Sequence, residues 1–185
     1  MPTRGDLPDA LVRAGMALLE DKGLEGLTLR RVAARAGVSH AAPAHHFGGL
    51  RGLKVAIATH GFQTFRREMV PARDSLPADS DPFRALLTVN LAYIRFAESH
   101  MALFRLMFDQ LPAQDPGLRD SALNSYLLLR DLCAPFVRER PAVPLETAVW
   151  GLTHGYAAMN MGNAQIPGSP IRLSPYEDAL RVLVG

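Results

Sequence analysis

Between Thr28 and Lys54 the chain carries Arg30, Arg31, Arg35, Arg51 and Lys54 and no aspartate or glutamate. The formal net charge of the whole chain is only +2, so this stretch is a local basic face, of a kind that suits nucleic-acid phosphates. Within it, residues 28–47 read TLRRVAARAGVSHAAPAHHF. Thr28 has N-cap chemistry, and Gly37 can take φ > 0 in a tight turn centred on Ala36-Gly37-Val38. Val38 can plug the angle between two helices, and Ser39 offers the second N-cap. Two short helices so joined form a helix-turn-helix, whose second helix lies in the major groove. That second helix, from Ser39 to about His46, has small side chains. His40 and His45 can exchange hydrogen bonds with base edges, while Ala41 and Ala42 allow close approach and contact with a thymine methyl. Neither Arg nor Gln is present on it for a bidentate grip, so shape and phosphate contacts carry more of the recognition. Arg30, Arg51 and Lys54 are the phosphate-binding candidates beside it.

Other chemistries find little support. His45 and His46 are adjacent and diverge, with no cysteine or carboxylate nearby in sequence, so no metal site is expected. There is no Gly-rich phosphate loop, no Gly-x-Ser-x-Gly elbow and no His-Glu-x-x-His, which argues against an enzyme and against a bound cofactor. The single cysteine, Cys133, cannot form an internal disulfide; it sits in an apolar helical stretch and reads as a core thiol in a reducing compartment. No apolar run reaches the roughly 18 residues that span a bilayer. Met1-Pro2-Thr3-Arg4 does not open a signal-peptide core. The expectation is a soluble, cytoplasmic protein with no membrane partner.

The elements that must position these residues are helices. Apolar side chains recur at 3.6-residue spacing, and period-2 alternation is nearly absent. A first helix is expected from Asp6 to Lys22, then the two short helices, and a fourth from Leu50 to Val70 ending at Pro71. Asp81-Pro82 opens a fifth, apolar almost all round, and a short sixth holds Leu103 to Phe108. A loop over Leu111–Gly117 leads to a seventh helix, Leu118–Arg140, which Pro135 should kink or interrupt. An eighth follows Pro144 and reaches Met161; the last is Tyr176–Val184. The fold class expected is all-α: an N-terminal helix-turn-helix domain at 1–50 and a C-terminal helical bundle for ligand binding and dimerisation at 51–185.

In the C-terminal part, aromatic and sulfur side chains collect on the fifth, sixth and eighth helices. Taken singly each reads as ordinary core; together they suit an apolar pocket inside a bundle. Phe62, Phe104, Met107, Phe108 and Trp150 are its candidate apolar contacts, and Asn90 and His154 its polar ones, with His100 and Asn160 as further polar groups. Trp150 and His154, at i and i+4, share a helix face. Ala148, Gly151, Gly155, Ala158 and Gly162 form a stripe of small residues on the eighth helix, at a propensity cost of about 1 kcal/mol per glycine. Such a stripe lets a second helix approach closely. A homodimer through the Leu118–Arg140 and Leu145–Met161 helices is expected.

Thr28-Leu29-Arg30, Val32-Ala33, Ala36-Gly37-Val38-Ser39 and His46-Phe47, preceded by a helix ending in Lys22-Gly23, resemble the DNA-binding domain of the TetR family of bacterial repressors. Trp150, His154 and Gly155, within AVWGLTHGYAAM, resemble the family's tryptophan-histidine-glycine type of C-terminal domain, and Ser39-His40-Ala41-Ala42-Pro43 is similar to that branch. The resemblance implies an all-helical dimer on a palindromic double-stranded DNA operator, released by a small-molecule effector. It also implies DNA contacts from Thr28, through a helix N-terminus on phosphate, and from Ser39, His40, Ala41 and His45. The family usually has tyrosine where this chain has Ala44 and lysine where it has Leu50, so two phosphate contacts are lost; Arg51 and Lys54 can replace the second. The function expected is a repressor released by an apolar or amphipathic ligand. A dimeric DNA-binding module without an effector is the alternative.

Overall fold

The computed structural model describes residues 7–137, 141–159 and 174–185. Among them it contains α-helices and short 3-10 turns and no strand, so the class is all-α as expected. The helices are α1 (Leu7–Lys22), α2 (Leu29–Ala36), α3 (Ala42–Phe47), α4 (Leu50–Asp74), α5 (Pro82–Ser99), α6 (Met101–Asp109), α7 (Pro116–Cys133), α8 (Ala142–Ala158) and α9 (Tyr176–Val184).

Most boundaries follow local chemistry, and the departures have local reasons. Asp81 caps α5 by accepting from the Arg84 N–H at 3.2 Å, with Pro82 at the first helical position. Asp115 and Pro116 repeat that signature: the Asp115 carboxylate accepts from the Leu118 N–H at 2.9 Å, so α7 begins two residues before the expected Leu118. It ends at Cys133, because Pro135 turns the chain into a 3-10 segment, Ala134–Phe136. Pro144 lies inside the first turn of α8, where its missing N–H costs nothing. Pro71 does not end α4 but lies within it. Pro71 is exposed, on the side of the helix where the loss of one backbone bond is least costly. The helix resumes with Ser75 N–H donating to the Pro71 carbonyl at 2.9 Å.

The chain divides into two compact units. The first comprises residues 1–64 and 102–122, hence α1 to α3, the first part of α4, most of α6 and the start of α7. Its core is Leu11, Leu19, Val32, Leu53, Ile57, Phe104 and Met107, all buried. The second comprises 65–101 and 123–185 and buries Leu86, Phe96, Val149 and Leu180. Cys133 is fully buried there, and burial pushes its thiol up to about 12, so it is the inert core thiol expected. Among the described residues no helix is long and apolar enough to cross a membrane.

Candidate nucleic-acid interface and ligand-contact residues

The basic segment folds as two short helices at a glycine turn. Thr28 is the N-cap of α2, and its Oγ1 accepts from the Arg31 N–H at 3.3 Å. Gly37 closes the helix at φ 69°, ψ 32°, a left-handed conformation that side-chain-bearing residues adopt reluctantly. The Gly37 N–H donates to Ala34 at 3.2 Å and the Val38 N–H to Ala33 at 3.1 Å, a Schellman closure.

Ser39 does not cap α3. That helix starts at Ala42, its N-cap is Ala41, and no side chain caps it. The Ala42 N–H instead donates to the Ser39 carbonyl at 3.1 Å, so Ser39 and His40 lie in the turn ahead of the helix. Pro43 supplies part of the reason: it occupies the first turn, where the fixed proline φ suits helix entry. Pro43 is also the one buried residue of α3, so it anchors the helix while Ala41, Ala44, His45 and His46 stay exposed. The His45 and His46 rings meet edge to face, their centroids 5.5 Å apart. Among the described residues no group of three His, Cys, Asp or Glu side chains is placed to hold a metal.

The arginines divide into two sets. Arg31 donates to the Gly26 carbonyl at 3.4 Å, and Arg35 is paired with Asp21 at 2.5 Å. Both are engaged within the protein. Arg30 and Arg51 are exposed and Lys54 is half-exposed, on the first turns of α2 and α4. Thr28, Arg30, Ser39, His40, Ala41, His45 and Arg51 are therefore all exposed, with Lys54 partly so.

Gly52 is a residue that motif reading missed. A Cβ there would run into the Phe47 carbonyl oxygen, so the first turn of α4 packs directly on the end of α3. The signal for it was weak: a glycine inside a helix, next to Gly48-Gly49.

The candidate ligand contacts fall into two clusters, one in each unit. In the first unit the Phe108 ring lies 5.4 Å from Phe62 and 4.9 Å from Phe104, beside the fully buried Met107. In the second unit an aromatic ladder runs along α8. Trp150 stands 6.2 Å from Tyr126 of α7 and 6.4 Å from His154, whose ring is 6.4 Å from Tyr93 of α5. The Tyr93 hydroxyl and His154 Nδ1 share a hydrogen bond of 2.8 Å. Burial drives the Tyr93 hydroxyl up and holds the His154 imidazolium below its usual range. Trp150 remains 37% exposed. Asn90 is 2% exposed, and its Nδ2, beside the Tyr176 hydroxyl, makes no well-formed hydrogen bond among the described residues. His100 is half-buried, its ring against Phe96 and its Nε2 4.0 Å from Glu68. Asn160 and Gly162 lie outside the described residues.

Two family models match this chain: "Bacterial regulatory proteins, tetR family" over residues 11–57, and "Tetracyclin repressor-like, C-terminal domain" over residues 86–175. The HTH-type transcriptional regulator BetI of Paraburkholderia phymatum is 30% identical over 148 residues, covering 77% of this chain and 73% of BetI. The chain belongs to the TetR family. The Escherichia coli tetracycline repressor protein class C is 37% identical over 89 residues, 48% of this chain and 38% of that protein. A solved structure of a Rhodococcus sp. RHA1 protein of unknown function shares the fold, with a TM-score of 0.74 at 26% identity, covering 95% of this chain and 90% of that one.

This TetR-family member is thus a DNA-binding transcriptional regulator and not an enzyme. Ala44 is exposed and carries no group for a phosphate, and Leu50 begins α4 half-buried. The cations nearest that position in the chain are Arg51 and Lys54, one and four residues on.

Proposed function

We propose that this regulator is a homodimeric repressor, that it grips a palindromic operator through α2, α3 and the start of α4, and that a small apolar or amphipathic effector releases it. The observation that carries the DNA reading is the exposure of Arg30, His40, Ala41, His45 and Arg51, all from a stretch without aspartate or glutamate, around a recognition helix anchored by buried Pro43. Thr28 and Ser39 border it and Lys54 extends it. The relative named a tetracycline repressor supports the sign of the regulation, and a ligand response is typical of the family. Trp150, His154 and Gly155 support assignment to the tryptophan-histidine-glycine branch. Cytoplasmic residence follows from the role. The division of labour places DNA binding in residues 1–50 and effector binding and dimerisation in 51–185.

The effector reading draws on Asn90. A buried amide N–H without a well-formed hydrogen bond is unfavourable by about 1–3 kcal/mol, and an acceptor oxygen on a ligand would relieve it. Trp150 and His154 are the remaining contacts we assign in the second unit, while Phe62, Phe104, Met107 and Phe108 form a separate candidate apolar cluster within the first. For the dimer, support comes from α7 and α8. A Cβ on Gly151 would meet nothing within 4 Å, and Leu123, Val143 and Met159 are exposed apolar side chains of these helices or their ends.

A mobility-shift assay on a palindrome from the protein's own upstream region tests the operator reading, with half-sites about 34–36 Å apart or a multiple. Arg51→Ala should weaken binding to all sequences and lower the salt slope by about one. His40→Ala should alter base preference; unchanged affinity and preference would remove His40 from the contact set. Gly151→Leu with Gly155→Leu should sediment as monomer. Asn90→Leu should abolish effector release while operator binding persists.

A further inference from the structure

The first unit holds a cleft of about 670 Å³, within the size range of small-molecule sites, that shares only Arg51 with the operator contacts proposed above. Its floor is one stripe of α4: Arg51, Val55, Thr59 and Gln63 follow at i+4 spacing, with Ala56 and His60 beside them. The start of α1 supplies one wall through Asp9 and Val12, and the segment before and into α7 the other through Ala113 and Asp115. His46 and Phe47 join it from the end of α3.

The charges in this cleft are not equally available. The Asp115 carboxylate caps α7, and Asp9 lies in the first turn of α1, so both carboxylates sit at helix N-termini whose partial positive charge offsets theirs. Arg51 is different: it is exposed, and among the described residues it has no ion-pair partner. The imidazole of His46 adds an N–H donor. Val12, Val55, Ala56 and Phe47 give an apolar bed. A planar guanidinium with a free fork recognises a carboxylate bidentately.

We propose that this cleft binds an amphipathic organic carboxylate, its apolar body on the α4 floor and its carboxylate on Arg51. Because Arg51 is also the phosphate contact proposed above, the carboxylate and the operator compete for one guanidinium. That competition rests on the operator reading; binding in the cleft does not.

The test is calorimetric titration of the DNA-free, full-length protein with benzoate, and with benzamide and benzylamine as neutral and cationic isosteres. Benzoate should bind saturably, once per chain, and at least about tenfold more tightly than either isostere. Arg51→Gln should weaken it by about tenfold or more, and so should Ala56→Phe, which fills the floor. If Ala56→Phe fails to melt cooperatively, Gln63→Trp at the exposed rim replaces it. Benzoate should also shift the His46 and His60 ring proton resonances. Benzoate affinity unchanged in Arg51→Gln overturns the proposal, as does the absence of saturable binding up to about 10 mM. Tighter binding of benzylamine overturns it too, and would give the cleft to cations through Asp9 and Asp115. Benzoate that binds as expected without lowering operator affinity would leave the cleft site standing and remove Arg51 from the operator contacts.

Discussion

The two units handle polar side chains in opposite ways. Among the described residues, Asn90, Glu146 and Thr153 are the buried polar or charged ones, and all three belong to the second unit. Thr153 pairs with the Tyr176 hydroxyl at 2.7 Å, and Glu146 accepts from the Tyr126 hydroxyl at 2.5 Å. The first unit keeps its polar groups outside, over an interior of Leu, Val, Ile, Phe and Met. An operator is a large, charged, outside partner, and the exposed Arg30 and Arg51 of the proposed operator face belong to the first unit. A unit that buries hydrogen-bonding groups can discriminate a small molecule by chemistry, because a mismatched ligand leaves those groups unpaired. The price is sensitivity to any change that strands one of them.

The largest expected effect probes the close packing of the first unit. Gly52→Val should destabilise by about 3 kcal/mol, since the new side chain must displace the Phe47 backbone. Operator affinity should fall with it, because α3 must shift; urea denaturation and a mobility shift measure the two. Next comes the polar interior of the second unit. Tyr126→Phe removes the partner of a carboxylate only 5% exposed, and should lower stability by about 2 kcal/mol in urea denaturation.

A smaller effect is expected from His154. Burial holds its folded-state pKa below the usual 6.5, so below that pH the unfolded chain binds more protons than the native one. The stability present above 6.5 is therefore lost as pH falls through the folded pKa. Melting temperature should drop between about pH 7.5 and about pH 5.5, and His154→Gln should flatten that dependence. Smallest of all is Arg35→Ala, which breaks an exposed ion pair with Asp21 and should change stability by less than about 1 kcal/mol. If Arg35→Ala proved as damaging as Tyr126→Phe, the contrast between the units would collapse.

Legibility in the sequence follows the same division. Thr28, Gly37 and Asp81 are caps whose partners lie within a few residues, so their roles could be read from the chain. The Asp115-Pro116 cap carries the same signal, masked by the turn residues Pro112 and Gly117 on either side of it. Ser39 misled for the complementary reason: its type fits a cap, but Pro43 and the packing of α3 set the helix start three residues on. In the candidate ligand contacts, the residue types were legible and their grouping was not. Phe62, Phe104 and Phe108 belong to one cluster, and Trp150, His154 and Asn90 to another unit.

By itself, then, the sequence determined what local interactions determine: an all-helical chain, a helix-turn-helix with its caps and glycine turn, an acid-free basic stretch and membership in a regulator family. These rest on hydrogen bonds and periodicities spanning at most a few turns. Only the tertiary structure decided which arginines are engaged by Gly26 and Asp21, and which polar groups are buried. It also decided that Tyr93 meets His154 across 61 residues, that Pro71 rides inside a helix, and that Gly52 carries the end of α3. Each of those depends on a neighbour brought from elsewhere in the chain or on exposure to water, and neither is present until the helices have packed.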